Sequence, residues 1–71
     1  MTLFQNTIRI SSVDVAHVTS LGKIVWRIRL ESGEVYLTEP GAEVKGKATD
    51  YIGKMATIRL RHNRVTYIGR P

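Results

Sequence analysis

In Ile24-Val25-Trp26-Arg27-Ile28-Arg29-Leu30, apolar and polar side chains alternate. Ile24, Trp26, Ile28 and Leu30 share one parity; Val25, Arg27 and Arg29 share the other. Ala56-Thr57-Ile58-Arg59-Leu60-Arg61 repeats the pattern, with Ala56, Ile58 and Leu60 on one side. A period of two belongs to the extended strand, where successive side chains point to opposite faces, and the β-branched content of both runs favours the same assignment. The chain is predicted to be all-β.

Short turn signals separate the runs. Leu21-Gly22, Ser32-Gly33 and His62-Asn63 each fit a two-residue hairpin loop, because Gly and Asn tolerate positive φ. With those turns, Leu30 faces Val35, Arg29 faces Tyr36 and Ile28 faces Leu37. His17 faces Trp26, Val15 faces Ile28, Val13 faces Leu30 and Asp14 faces Arg29, while Leu60 faces Val65 and Ile58 faces Tyr67. Each register gathers the apolar side chains on one face, which a slip of one residue would undo.

The predicted order is a meander of three strands, roughly 8–18, 24–31 and 34–38, then a connector, then a closing hairpin, 54–61 and 64–69. Pro40-Gly41 opens the connector as a turn, and Thr49 or Asp50 caps a single helical turn ending at Gly53. Meander, connector and hairpin together predict one domain over 1–71: a small five-stranded antiparallel barrel, OB-fold-like, with an SH3-like barrel as the alternative.

A domain of 71 residues buries only about 60% of its unfolded surface, and the absence of cysteine removes disulfides as reinforcement. His17 and His62 alone cannot build a zinc site, so neither metal nor cofactor is expected. A cysteine-free chain with no signal-peptide pattern at Met1–Ser11 and no long apolar run is expected to be cytoplasmic, with no membrane association. No nucleophile–base pair, carboxylate pair or phosphate-cradling glycine motif is present, and no enzymatic activity is expected.

Charge is the functional lead. The net charge is +5, and all of it lies in the last 21 residues, where Lys54, Arg59, Arg61, Arg64 and Arg70 meet no acid. Such asymmetry points to a polyanionic partner. In an OB-fold the ligand groove crosses strands two and three, flanked by the first and last hairpin loops. The predicted registers place Lys23, Arg27, Arg29, Tyr36, Arg61 and Arg64 there, with Lys54 and Arg59 on the basic final hairpin. These eight residues are the candidate nucleic-acid contacts: cations follow the phosphates, and Tyr36 offers a ring for a base to stack on. Single-stranded DNA or RNA is favoured over duplex.

Other readings stand beside this one. Asp14 opposite Arg29 can form a salt bridge that withdraws Arg29 from a site, whereas Arg27 faces Ala16. Trp26 and Tyr67 are expected in the core, and His17 at the core or barrel mouth. Lys45 and Lys47 are read as an ordinary polar loop. The alternative function is a protein-interaction module or homo-oligomer, to which Leu3 and Phe4 could contribute.

Overall fold

The computed structural model describes residues 4–71. Five strands, β1 (Phe4–Val18), β2 (Ile24–Leu30), β3 (Val35–Val44), β4 (Met55–Arg61) and β5 (Arg64–Gly69), close a barrel in the order β1-β2-β3-β5-β4. A single 3-10 turn, Ala48–Tyr51, lies between β3 and β4. The all-β barrel is as expected. Its pairing is mixed, because β3 and β5 run parallel while every other junction is antiparallel. The reason is topological: an odd number of strands in a closed ring cannot alternate direction all the way round.

β1 is long because it serves two neighbours. Phe4–Arg9 pair with β4, and Ile10–Val18 pair with β2. β3 is also longer than predicted. Pro40-Gly41 does not end the strand; Gly41, at φ +83°, bends it, and the parallel ladder with β5 resumes at Glu43. The 3-10 turn sends buried Ala48 and Tyr51 into the core, and the Tyr51 hydroxyl donates to the Lys45 carbonyl. The remaining core is Ile10, Val13, Ile28, Leu30, Ala56, Ile58, Val65 and Ile68. Leu3 lies outside the described residues, as does the Phe4 side chain.

The first two hairpin loops are each one residue longer than predicted. In both, a glycine at positive φ (Gly22 and Gly33) ends a three-residue loop. Gly33 N–H donates to the Leu30 carbonyl at 2.9 Å and Leu30 N–H to Glu34 at 2.8 Å; Gly22 and Thr19 repeat the arrangement. The extra residue moves β3 by one position, so Arg29 pairs with Val35, Ile28 with Tyr36 and Arg27 with Leu37. In the first hairpin, Asp14 pairs with Arg27 and Val15 with Trp26. A bulge between Val15 and His17 then changes the facing of the hairpin's far end: Val25 is buried, and Ile24 and His17 are exposed. Trp26 packs half-buried against the core, and its backbone N–H donates to the buried Thr38 Oγ1 at 2.8 Å.

His62 and Asn63 form the predicted two-residue turn, both at positive φ, with Arg61 opposite Arg64. Leu60 faces Val65 as expected, but a bulge then leaves Thr66 unopposed. Ile58 therefore meets Ile68, and Tyr67 falls beside Arg59 on the outside of the barrel, not in the core.

Candidate nucleic-acid interface

The outer side chains of the barrel form cross-strand rows. One row runs Asp14, Arg27, Leu37, Arg64, Arg61 across β1, β2, β3, β5 and β4. A second runs Gln5, Arg59, Tyr67, Glu43 across β1, β4, β5 and β3. The structure thus distributes the eight predicted residues over two regions of the surface, and their charges are not equally available.

On the β2–β3 face, Arg27 Nη1 sits 2.6 Å from Asp14 Oδ2, so the arginine expected to be unpaired is the paired one. Arg29, expected opposite Asp14, lies exposed beside Ser12 and Val35, with no acid in contact among the described residues. Tyr36 is not the exposed platform predicted. Its one-residue shift turns the ring towards the core, and its hydroxyl donates to Glu34 at 3.1 Å. That carboxylate, with some burial of the ring, holds the Tyr36 phenol above its ordinary pKa. Val35 and Leu37 are the residues of β3 beside Arg29 and Arg27. Lys23 is exposed at the first loop and leans towards the kink at Gly41, where a Cβ would come within 3.9 Å of its Cδ.

The β4–β5 face is different. The Arg59 guanidinium lies 4.4 Å from the centre of the Tyr67 ring, and its Nε donates to Gln5 Oε1 at 2.8 Å. Both contacts are with neutral groups, and the Glu43 carboxylate beyond Tyr67 acts on Arg59 only through space, so the charge of Arg59 is held in place and only partly offset. The hydroxyl end of Tyr67 folds over Gly69, where a Cβ would come within 2.1 Å of it. Glycine is needed there for space, not for its backbone freedom. Arg61 Nη2 reaches Glu39 at 3.2 Å, while Arg64 across the turn touches no acid among the described residues. Two like charges directly opposed across a ladder disfavour the turn unless hydrated or neutralised by an anion.

At the base of the same hairpin lies an open cleft of about 680 Å³, lined by Lys45, Asp50, Tyr51, Lys54, Tyr67 and Arg70 among others. Lys54, a predicted contact, belongs to this cleft. Lys45 pairs with Glu43 at 2.6 Å, and each shifts the other: the Glu43 carboxyl is held below its ordinary pKa and the Lys45 ammonium above. Lys45, read as loop, and Arg70 join Lys54 around Tyr67. Sequence reasoning missed Tyr67 because strict alternation from Val65 points it inward. The contrary signal was present: alternation would have put Ile68 in solvent, and one bulge returns it to the core.

No protein-family model matches the chain, and no curated protein or solved structure does either.

Proposed function

We propose that this barrel is a non-enzymatic binder of single-stranded nucleic acid, engaging phosphates along the outer face of the β4–β5 hairpin. The observation that supports it is the continuity of that face. Arg64 and Arg61 stand at the tip, Arg59 and Tyr67 in the middle, and Lys54 and Arg70 at the base, with no acid on either strand. Cations spaced along a strand suit a phosphate backbone, and a fixed ring among them suits an unpaired base. The β2–β3 face contributes Arg29 and Lys23 at its margin.

Fluorescence anisotropy with labelled single-stranded DNA, RNA and duplex, at low and near-physiological salt, tests the proposal. Micromolar binding that prefers a single strand and weakens with salt is expected. Arg64→Ala should lower affinity and reduce the salt slope by about 1, the loss of one phosphate contact. Arg27→Ala, already neutralised by Asp14, should leave both nearly unchanged. Equal effects of the two substitutions would move the site; absence of binding to all three polymers would remove it.

One observation favours a second reading, a protein partner or a second copy. Val15, Val18, Ile24 and Leu21, the last 86% exposed, cluster at the unsupported end of the β1–β2 hairpin. A concentration-dependent mass in sedimentation, together with no nucleic-acid binding, would favour it.

A further inference from the structure

The cleft at the base of the hairpin asks for a smaller ligand than a strand. We infer that it binds a terminal phosphomonoester, the phosphorylated end of a nucleic-acid strand, an inference that rests on the nucleic-acid reading above. Its volume, about 680 Å³, lies within the ~300–1,000 Å³ range of small-ligand sites, whereas the barrel interior is filled by the core.

Charge selects the ligand. Lys45, Lys47, Lys54 and Arg70 stand in or beside the cleft against Glu43 and Asp50. Glu43 is taken up by Lys45; Asp50 accepts only the Lys47 backbone N–H, at 3.4 Å, so its charge and that of the Lys47 ammonium both stand and offset each other in the count. Lys54 and Arg70 are left without an acid partner among the described residues. The surplus of two positive charges is more than an internal phosphodiester brings. It matches a phosphomonoester, which carries about −1.5 to −2 near neutral pH.

The walls are fixed before any ligand arrives. Tyr51 is buried and holds the Lys45 carbonyl, which sets the loop, and Tyr67 is braced between Arg59 and Gly69. The two tyrosine walls have little side-chain order left to lose on binding, which favours affinity. Tyr67 supplies the surface against which the terminal nucleoside packs, and Lys54 and Arg70 supply the donors for the phosphate. The basic face running down from Arg64 leads the rest of the strand to the same place.

The test compares a short single strand carrying a 5′-phosphate, a 3′-phosphate or hydroxyls at both ends, with a nucleoside monophosphate as a separate arm. One phosphorylated end should bind about tenfold tighter than the hydroxyl form. The double substitution Lys54→Gln and Arg70→Gln, both exposed and compatible with an unchanged circular dichroism spectrum, should abolish that preference. Arg64→Ala should weaken all three strands alike and keep it. Similar affinity for the monophosphate and the phosphorylated strand would assign the cleft to free nucleotides as well; tighter binding of the strand assigns it to strand ends. Equal binding of phosphate- and hydroxyl-ended strands overturns the inference and leaves the nucleic-acid reading standing. Failure of every oligonucleotide to bind removes that reading, and the monophosphate arm then decides the cleft alone.

Discussion

The β1–β2 and β4–β5 hairpins are built alike and end differently. Each is an antiparallel pair with outward arginines, bulged twice in β1–β2 and once in β4–β5. In β1–β2, the charges close on their neighbours: Asp14 opposite Arg27, and Glu31 3.2 Å from Arg9. In β4–β5, Arg61 faces Arg64 and reaches Glu39 of β3 at 3.2 Å, Arg59 rests on a tyrosine, and neither strand carries an acid of its own. The number of arginines therefore says little about how much charge a surface presents. Register decides that, by choosing what stands opposite each one. The bulges differ in consequence too. The one beside Ala16 exposes the far end of its hairpin, whereas the one at Thr66 keeps both aliphatics of β5 inside and sends the tyrosine out.

The largest effect follows from that second bulge. Ile68 is fully buried, so Ile68→Ala should cost about 2–5 kcal/mol in urea or thermal unfolding. In a domain whose total stability is of order 4–10 kcal/mol, such a loss can unfold it. Ile68→Val, at about 0.5–1.5 kcal/mol, keeps the comparison measurable. Tyr67→Ala should cost roughly 1 kcal/mol, the worth of a half-buried ring and its arginine contact. If Tyr67→Ala proved the more damaging of the two alanine substitutions, the ring would belong inside and the β4–β5 face would lose its aromatic centre.

The sequence made the strands legible because alternation survives in β4 and in the second half of β2, where Ala56, Ile58, Ile28 and Leu30 point inward as their parity demands. The three turns were located correctly for the same reason that they form: Gly22, Gly33 and the His62-Asn63 pair all hold positive φ. Loop length was not legible. A glycine serves equally in a two-residue loop and at the end of a three-residue one, and that one-residue difference moved Tyr36 from the surface towards the core. Bulges were the other blind spot, since an extra residue leaves no mark in composition. Hence Arg27 and Arg29 exchanged roles, and Tyr67, Lys45 and Arg70 entered the candidate site only through the structure. The basic bias of the last 21 residues was visible from the start; its division between used and unused charge was not.

A second, smaller effect separates the two turns. Gly22 takes its positive φ of 83° without a side chain, whereas His62 and Asn63 hold φ of 54° and 62° with one. Replacing His62-Asn63 by Asn-Gly, the pair this turn geometry favours, should stabilise the domain by about 0.5–1 kcal/mol. Gly22→Ala should destabilise it by about 1–2 kcal/mol. Both are read as shifts in the unfolding midpoint. No gain from Asn-Gly would mean that the flanking arginines, not the backbone, limit this turn.

The smallest effect concerns a cancelled charge at the edge of the cleft. Glu43 and Lys45 are exposed, so their pair contributes little and is screened by salt. Its signs are nevertheless defined. The carboxyl is lowered, so its contribution is present above the ordinary carboxylate pKa and fades as pH falls through the lowered value. The ammonium is raised, so its contribution is present below the ordinary lysine pKa and fades as pH rises through the raised value. Stability should show a shallow plateau between them, which Glu43→Gln flattens. The same substitution frees Lys45 beside the cleft and should raise affinity for a single strand roughly twofold at low salt. Asp14→Asn frees Arg27 on the other hairpin and is the control. If it raises affinity as much as Glu43→Gln does, the ligand reads the whole barrel's charge and the contrast between the hairpins carries no function; if only Glu43→Gln does, the strand lies where the acids are missing.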